Sequence, residues 1–232
     1  MFGSHSTIVN RWTHFRLTIA RRLDRLLAAT LFLPRCCLCG FPGGSVDLDL
    51  CLFCRADLPW IDEASSTAAA LRFAPPADDL IRQLKYHGVY ANARVLGVLL
   101  AQAVDERALT LPRLLVPVPL HVARLRERGF NQAAAIARYA GRMLRIPMAP
   151  GVVRRVRDTP SQTSLSVAER RRNVHGAFEV ANARARRRLL EAGHVAIVDD
   201  VITTGSTVAE LERVLLDAGV RKVEVWAVAR AR

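Results

Sequence analysis

The sequence predicts an α/β fold, a parallel sheet flanked by helices, with a small cysteine-rich domain in front of it. Three observations carry this reading. All five cysteines fall within 19 residues near the N terminus, between Cys36 and Cys54. A strand-like apolar run, Leu114-Leu115-Val116-Pro117-Val118-Pro119-Leu120, leads into a helical pattern. A second run, His194-Val195-Ala196-Ile197-Val198, exits through two acidic residues and a Thr/Gly turn into another helix. Strands alternating with helices mark a parallel sheet.

Composition bounds the alternatives. The chain has 232 residues, 51% hydrophobic and 24% charged, with 13 Gly and 11 Pro. This is an ordinary globular composition and excludes disordered, collagenous and coiled-coil classes. The length suits one domain of roughly 150 to 200 residues plus a small attachment. No apolar run reaches the roughly 18 residues of a membrane-spanning helix. The formal net charge is +13, and residues 121–190 alone carry 16 basic against 4 acidic side chains. That stretch attracts polyanions, either the phosphates of a small ligand or those of nucleic acid. Only Lys85 and Lys222 are lysines, so the positive charge is almost entirely arginine.

Residues 1–35 read as a basic amphipathic leader. Trp12, Phe15, Ile19, Leu23, Leu26 and Leu27 recur at helical spacing, with Arg11, Arg16, Arg21, Arg22 and Arg25 between them. Such a stripe packs on the protein or lies on an anionic membrane surface. An export signal is disfavoured because the run Leu26–Leu33 lacks a small-residue cleavage site. The expected location is therefore cytoplasmic, with contact at the inner membrane as an option for the leader.

Residues 36–60 are expected to form a zinc ribbon. Cys36-x2-Cys39 and Cys51-x2-Cys54 are separated by 11 residues. Two such pairs close on one tetrahedral ion through four thiolates, a structural Zn²⁺ site without an open coordination position. Gly40, Gly43 and Gly44 supply the turns. The competing reading is two disulfides with one cysteine left over, which a reducing compartment opposes. Cys37 is left as a buried small side chain or an alternative ligand. Residues 61–110 are expected to be a mainly helical connector, with helices at Asp78–Tyr86 and Val95–Val104.

The α/β core is expected over 111–232. After Leu120 come Arg124, Arg126 and Arg128-Gly129-Phe130-Asn131-Gln132, with Asn131 as helix N-cap and Ile136, Ala140 and Met143 on one helix face. A polar basic segment follows, Arg157-x4-Gln162-x2-Leu165-x4-Arg170-x2-Asn173. The run His194–Val198 leads into Asp199-Asp200 and then Thr203-Thr204-Gly205-Ser206-Thr207. Thr207-x2-Glu210 reads as a capping box, and Val208, Leu211, Val214 and Leu215 as the apolar stripe of the helix. Ligands of a parallel sheet bind beyond the carboxyl ends of its strands. Free N–H groups at the turn suit a phosphate monoester, while the two carboxylates suit a sugar diol or Mg²⁺.

The run from His194 to Thr207 resembles the phosphoribosyl-pyrophosphate (PRPP) motif of type I phosphoribosyltransferases. With the cysteine pairs, P-V-P-L, R-G-F-N-Q and Q-x2-L-x4-R-x2-N, the chain is similar to the ComF family from about Cys36 to its C terminus. The resemblance implies a zinc ribbon joined to a type I phosphoribosyltransferase-like domain and a link to natural transformation or use of external DNA. By that likeness Asp199 and Asp200 are the catalytic acids, and these two with Thr203, Thr204, Gly205, Ser206 and Thr207 hold PRPP with Mg²⁺. Arg126, Arg128, Arg157, Gln162 and Arg170 belong to the pyrophosphate loop and the mobile loop. His121 is kept as a further candidate.

Function stays open between classes at this stage. The chain is a Mg²⁺-dependent phosphoribosyltransferase with an unknown acceptor, a nucleobase in the salvage variant. Or it is a non-catalytic protein that binds single-stranded DNA under control of PRPP or a nucleotide, in company with other DNA-uptake proteins. No Walker-type motif competes for phosphate. No nucleobase pocket is evident, and the aromatics noted near the cysteines, Phe41, Phe53 and Trp60, are few.

Overall fold

A computed structural model describes residues 35–41, 48–61, 67–107, 110–158 and 172–231. The leader up to residue 34, Gly43, Gly44, Gln162 and Arg170 lie outside the described residues. The chain divides into two units, Met1–Arg55 and Ala56–Arg232.

In the first unit two turns fold the cysteines toward one another. The Cys36 N–H donates to the Phe41 carbonyl at 2.7 Å, and the Gly40 N–H returns to the Cys36 carbonyl at 2.9 Å. Cys36, Leu48, Leu50 and Cys51 are buried. Helix α1 (Leu52–Ala56) carries Cys54 one turn after Cys51.

The second unit is built on a four-stranded sheet of β1 (Thr67–Arg72), β2 (Leu114–Pro117), β5 (His194–Ile202) and β6 (Lys222–Arg230), in spatial order β1-β6-β5-β2. Every pairing in it is parallel, with Leu114 opposite Val195, Val195 opposite Val223, and Thr67 opposite Val225. A parallel sheet is covered on both faces, so its strands read as continuous apolar runs. Leu115, Ala196, Ile197, Val198, Ala227 and Val228 are all within 1% of full burial.

Two helices cover one face. α2 (Ala77–His87) precedes them, α3 (Ala91–Asp105) lies against β1 and β6, and α5 (Gln132–Leu144) lies against β2 and β5. Between β2 and α5 runs the short α4 (Val122–Arg128). The opposite face packs Val195, Ile197, Val225 and Ala227 against Leu189 of α6 (Ala183–Ala192) and Leu211 and Leu215 of α7 (Ser206–Asp217). A short antiparallel ribbon, β3 (Val153–Arg155) with β4 (Phe178–Val180), joins that layer.

The α/β reading with a parallel sheet and a four-cysteine cluster therefore stands. Two expectations change in detail. The connector over 61–110 holds helices where they were expected, but it also supplies β1, and all of it described here shares one unit with the sheet. Thr67-Ala68-Ala69-Ala70 has no β-branched run to announce a strand, and the sheet edge recruits it through β6. Met143 lies outside the buried face of α5, being 45% exposed, and Ala137 and Gly141 take the inner positions beside Ile136 and Ala140.

α3 and α5 touch at a glycine. A Cβ on Gly97 would come within 2.7 Å of the Ile136 carbonyl oxygen and of the Tyr139 Cβ, closer than real Cβ atoms stand. Backbone on one side leaves no flexible atom to yield. Gly97→Ala is expected to destabilise the protein by about 1–3 kcal/mol through overpacking, although helix propensity alone would favour alanine by about 1 kcal/mol. Urea unfolding measures the balance, and equal or greater stability of the variant would contradict the close approach.

Candidate functional site

The parallel register brings two loops to one edge. Val118, just past β2, donates its N–H to the Val198 carbonyl of β5 at 2.9 Å, so the loop after β2 and the turn after β5 leave the sheet side by side. Asn131 locks the first of them. Its side chain accepts from the Ala134 N–H at 3.2 Å as the N-cap of α5, as its sequence position implied, and donates to the Val118 carbonyl at 2.9 Å. His121 is the N-cap of α4, its Nδ1 3.4 Å from the Ala123 N–H and 3.5 Å from Asp158 Oδ1.

At the end of β5 stand the two carboxylates. Asp200 is buried at 3% exposure and pairs with Lys85 Nζ at 2.6 Å. The Asp200 N–H donates to Asp199 Oδ1 at 2.9 Å. Burial, then the adjacent Asp200 charge, pushes the Asp199 carboxyl well above the ordinary range, which Lys85 only partly counters. For Lys85, burial opposes its charge, yet Asp200 and then Asp199 outweigh that and raise it. The two acids are adjacent and Lys85 pairs directly with Asp200, so the site favours charge on Asp200 and disfavours it on Asp199. Arg155 of β3 lies within electrostatic reach of Asp199 and Asp158.

The turn Thr203-Thr204-Gly205-Ser206 follows. The Thr204 and Ser206 hydroxyls meet at 2.9 Å. Asp199 and the turn residues Thr203 to Thr207 line one small hollow. The expected capping box is not formed: α7 begins at Ser206, with Gly205 in the left-handed region (φ 75°) as its N-cap and no side chain accepting from the first turn. A left-handed cap favours glycine, and it displaces the helix start by two residues from the Thr207 register. Glu210 faces elsewhere. It accepts from the Gly176 N–H at 2.8 Å and from Arg213 at 2.7 Å. The Arg213 hydrogen bond, opposed by burial and helped by Gly176, lowers its pKa to about 2.

The other sequence-derived residues scatter. Arg126 is exposed on α4. Arg128 donates to Gln132 Oε1 at 2.7 Å and lies over the Tyr86 ring at 5.6 Å. Arg157 donates to the His175 carbonyl at 2.6 Å; with the Val156 N–H on the Ala177 carbonyl, it closes the neck of the segment between residues 158 and 172. Lys85, Arg155 and Glu210 were missed by sequence reasoning. For Lys85 a signal existed, since it is one of two lysines in a chain that otherwise uses arginine.

In the first unit, one sulfur from each of Cys36, Cys39, Cys51 and Cys54 lies within 4.8 Å of the others. Cys39 and Cys51 sulfurs stand 3.7 Å apart, matching the edge of about 3.8 Å of a tetrahedron with 2.3 Å metal–sulfur bonds. Burial opposes ionisation of Cys36, but backbone N–H groups of Cys39, Cys51 and Leu38 outweigh it and lower its pKa to about 6. Burial pushes Cys54 up. All five thiols are unbridged. Four are positioned to bind a metal ion; Cys37 is outside the group, and burial with the Cys36 charge pushes it up to about 12. Among the described residues no helix is long and apolar enough to cross a membrane.

No family model matches the chain. "Competence protein F" of Haemophilus influenzae is 37% identical over 163 residues, covering 68% of this chain and 70% of that protein. "DNA utilization protein YhgH" of Salmonella typhi and its counterpart in Escherichia coli strain K12 are each 34% identical over 199 residues, covering 84% of this chain and 83% of theirs.

Removing one partner of a buried ion pair leaves the other charge stranded. Lys85→Met is therefore expected to destabilise the second unit by about 3 kcal/mol, and Lys85→Met with Asp200→Asn to recover much of that loss. Urea unfolding of the single and double variants decides it. A single variant as stable as the parent would mean that the pair holds nothing together.

Proposed function

The chain belongs to the ComF family, and from that premise we propose that it serves DNA uptake and the use of external DNA through a PRPP-type ligand held at the carboxyl edge of its sheet. The observation that carries the ligand is the uncapped start of α7 beside the adjacent carboxyls of Asp199 and Asp200. The first-turn N–H groups of α7 have no side-chain acceptor, Gly205 keeps the approach open, and the Thr204 and Ser206 hydroxyls flank it. A helix N-terminus of this kind favours a phosphate. The carboxylates of Asp199 and Asp200 would accept hydrogen bonds donated by the hydroxyls of a ribose diol.

Asp199 and Asp200 are also the residues that would hold Mg²⁺. Two adjacent carboxyls at the end of β5 offer the hard oxygen ligands that a divalent cation takes. When bound, Mg²⁺ would neutralise the pyrophosphate of the ligand. The protein's own groups do the remaining work: Lys85 orients Asp200, the turn seats the 5′-phosphate, and Arg128 supplies positive charge near the loop after β2. Departure of pyrophosphate from ribose C1 leaves negative charge on the leaving group, which cations on this edge stabilise. The acceptor is a nucleobase or a nucleic-acid group. Binding without transfer, as a PRPP-regulated DNA-handling factor, is the second reading, favoured by the use of His121 Nδ1, on the loop after β2, as the N-cap of α4.

The four cysteines hold a structural Zn²⁺ in this reading. Four thiolates leave no open coordination position, so the ion folds its unit and takes no part in transfer.

Two measurements test these assignments. Asp199→Asn removes a carboxylate that its site disfavours in charged form, so at neutral pH the variant is expected to keep or gain thermal stability while losing at least about tenfold in Mg²⁺-dependent PRPP affinity by calorimetry. Full affinity in that variant would overturn the ligand assignment. Metal analysis of the purified chain is expected to give about one zinc per chain, and folded protein without metal would refute the zinc site.

A further inference from the structure

A second cleft opens on the same edge; it shares Lys85 and Arg128 with the PRPP reading, but that reading gives its aromatic wall no role. Its volume is about 710 Å³, and Lys85, Tyr86, Tyr90, Arg124, Arg128 and Phe130 are among its lining residues. Volumes of about 300–1,000 Å³ are usual for ligand sites. The walls come from two chain reversals, the α2–α3 turn with Tyr86 and Tyr90 and the α4–α5 turn with Phe130.

Three aromatic rings gather there, and the two tyrosines stay exposed while Phe130 is half-buried. Tyr86 is 70% exposed and Tyr90 57% exposed. Tyr90 and Phe130 meet with ring centroids 4.7 Å apart at 53°, which turns their rings into a step rather than a closed stack. Exposed aromatic surface of this kind, rimmed by polar residues, marks a binding site. The described contacts of Arg128 are to neutral groups, the Gln132 amide and the Tyr86 ring, so its charge is not cancelled locally. Glu127 and Asp158 also line the cleft. Their carboxylates make it a poor seat for a bare polyphosphate, but they accept from the N–H edge of a base.

Flat rings for stacking, a cation for one phosphate and acceptors for a base edge describe an unpaired nucleotide. Duplex DNA hides its base faces, so a strand with exposed bases fits the cleft and a duplex does not. We propose that the cleft of Tyr86, Tyr90, Phe130 and Arg128 is a stacking site for a base of single-stranded DNA, placed beside the Lys85–Asp200 pair. The inference rests on the DNA role proposed above and adds to it the surface that takes the strand.

The test uses the full chain, a fluorescein-labelled 12-nucleotide oligothymidylate followed by anisotropy, and calorimetric titration of PRPP with Mg²⁺ on the same samples. Tyr86→Ala with Tyr90→Ala is expected to weaken oligonucleotide binding by about tenfold or more, the scale of base–aromatic stacking, with PRPP affinity unchanged. Tyr86→Phe with Tyr90→Phe is expected to retain binding, because the rings remain. An alanine variant that binds the oligonucleotide as the parent does overturns the proposal. So does a parent that binds PRPP but no oligonucleotide, whereas failure of PRPP alone counts against the ligand reading and leaves the stacking site standing. Thymidine 5′-monophosphate that displaces the oligonucleotide at equal concentration of sites would make this a mononucleotide pocket and overturn the assignment to a strand.

Discussion

The ion pair between Lys85 and Asp200 ties the α2 helix to the end of the central strand, and the geometry of this edge follows from it. Asp200 is buried at the last turn of a hydrophobic strand, where an isolated carboxylate would be costly. Lys85 reaches it at 2.6 Å from the C-terminal turn of α2. To do so α2 must end at the sheet edge, and Gly88 in the left-handed region turns the chain there into α3. Tyr86 and Tyr90 flank that turn. One electrostatic requirement at the strand exit thereby sets both the charge of the acid pair and the position of the aromatic cleft.

The turn after β5 shows a different trade. A side-chain cap on α7 would satisfy its first N–H groups internally and stabilise the helix by about 1 kcal/mol. The chain instead places Gly205 at the cap and spends Glu210 on Gly176 and Arg213. The helix start is left with donors for an outside anion, while Glu210 and Arg157 fasten the far end of the intervening segment at Gly176 and His175.

What could be read in advance was local, and what could not was tertiary. The spacing of Cys36, Cys39, Cys51 and Cys54, the apolar run of β5, the stripe of α7 and the Asn131 cap each depend on residues a few positions apart. β1 was hidden because its Ala-Ala-Ala stretch has little strand preference of its own and becomes a strand only beside β6. The capping box failed because its four-residue pattern was present but Gly176, 34 positions away, competed for Glu210. Lys85 and Asp200 are separated by more than a hundred residues, and Tyr86 from Arg128 and Tyr90 from Phe130 by about forty. No periodicity links such positions. The aromatic cleft was illegible for that reason, and the few aromatics near the cysteines drew notice in its place.

The shared lysine has a consequence for how the two parts of this edge communicate. Lys85 lines the cleft and also neutralises Asp200. An anion drawn into the cleft competes with Asp200 for the same ammonium group, which leaves the acid pair more negative and strengthens its hold on any cation or diol donor. A ligand that instead satisfies Asp200 frees Lys85 to turn toward the cleft. Thermodynamic linkage makes these two effects one coupling free energy, equal in both directions. Neither requires a moving domain, because the side chain that pairs with Asp200 also lines the cleft.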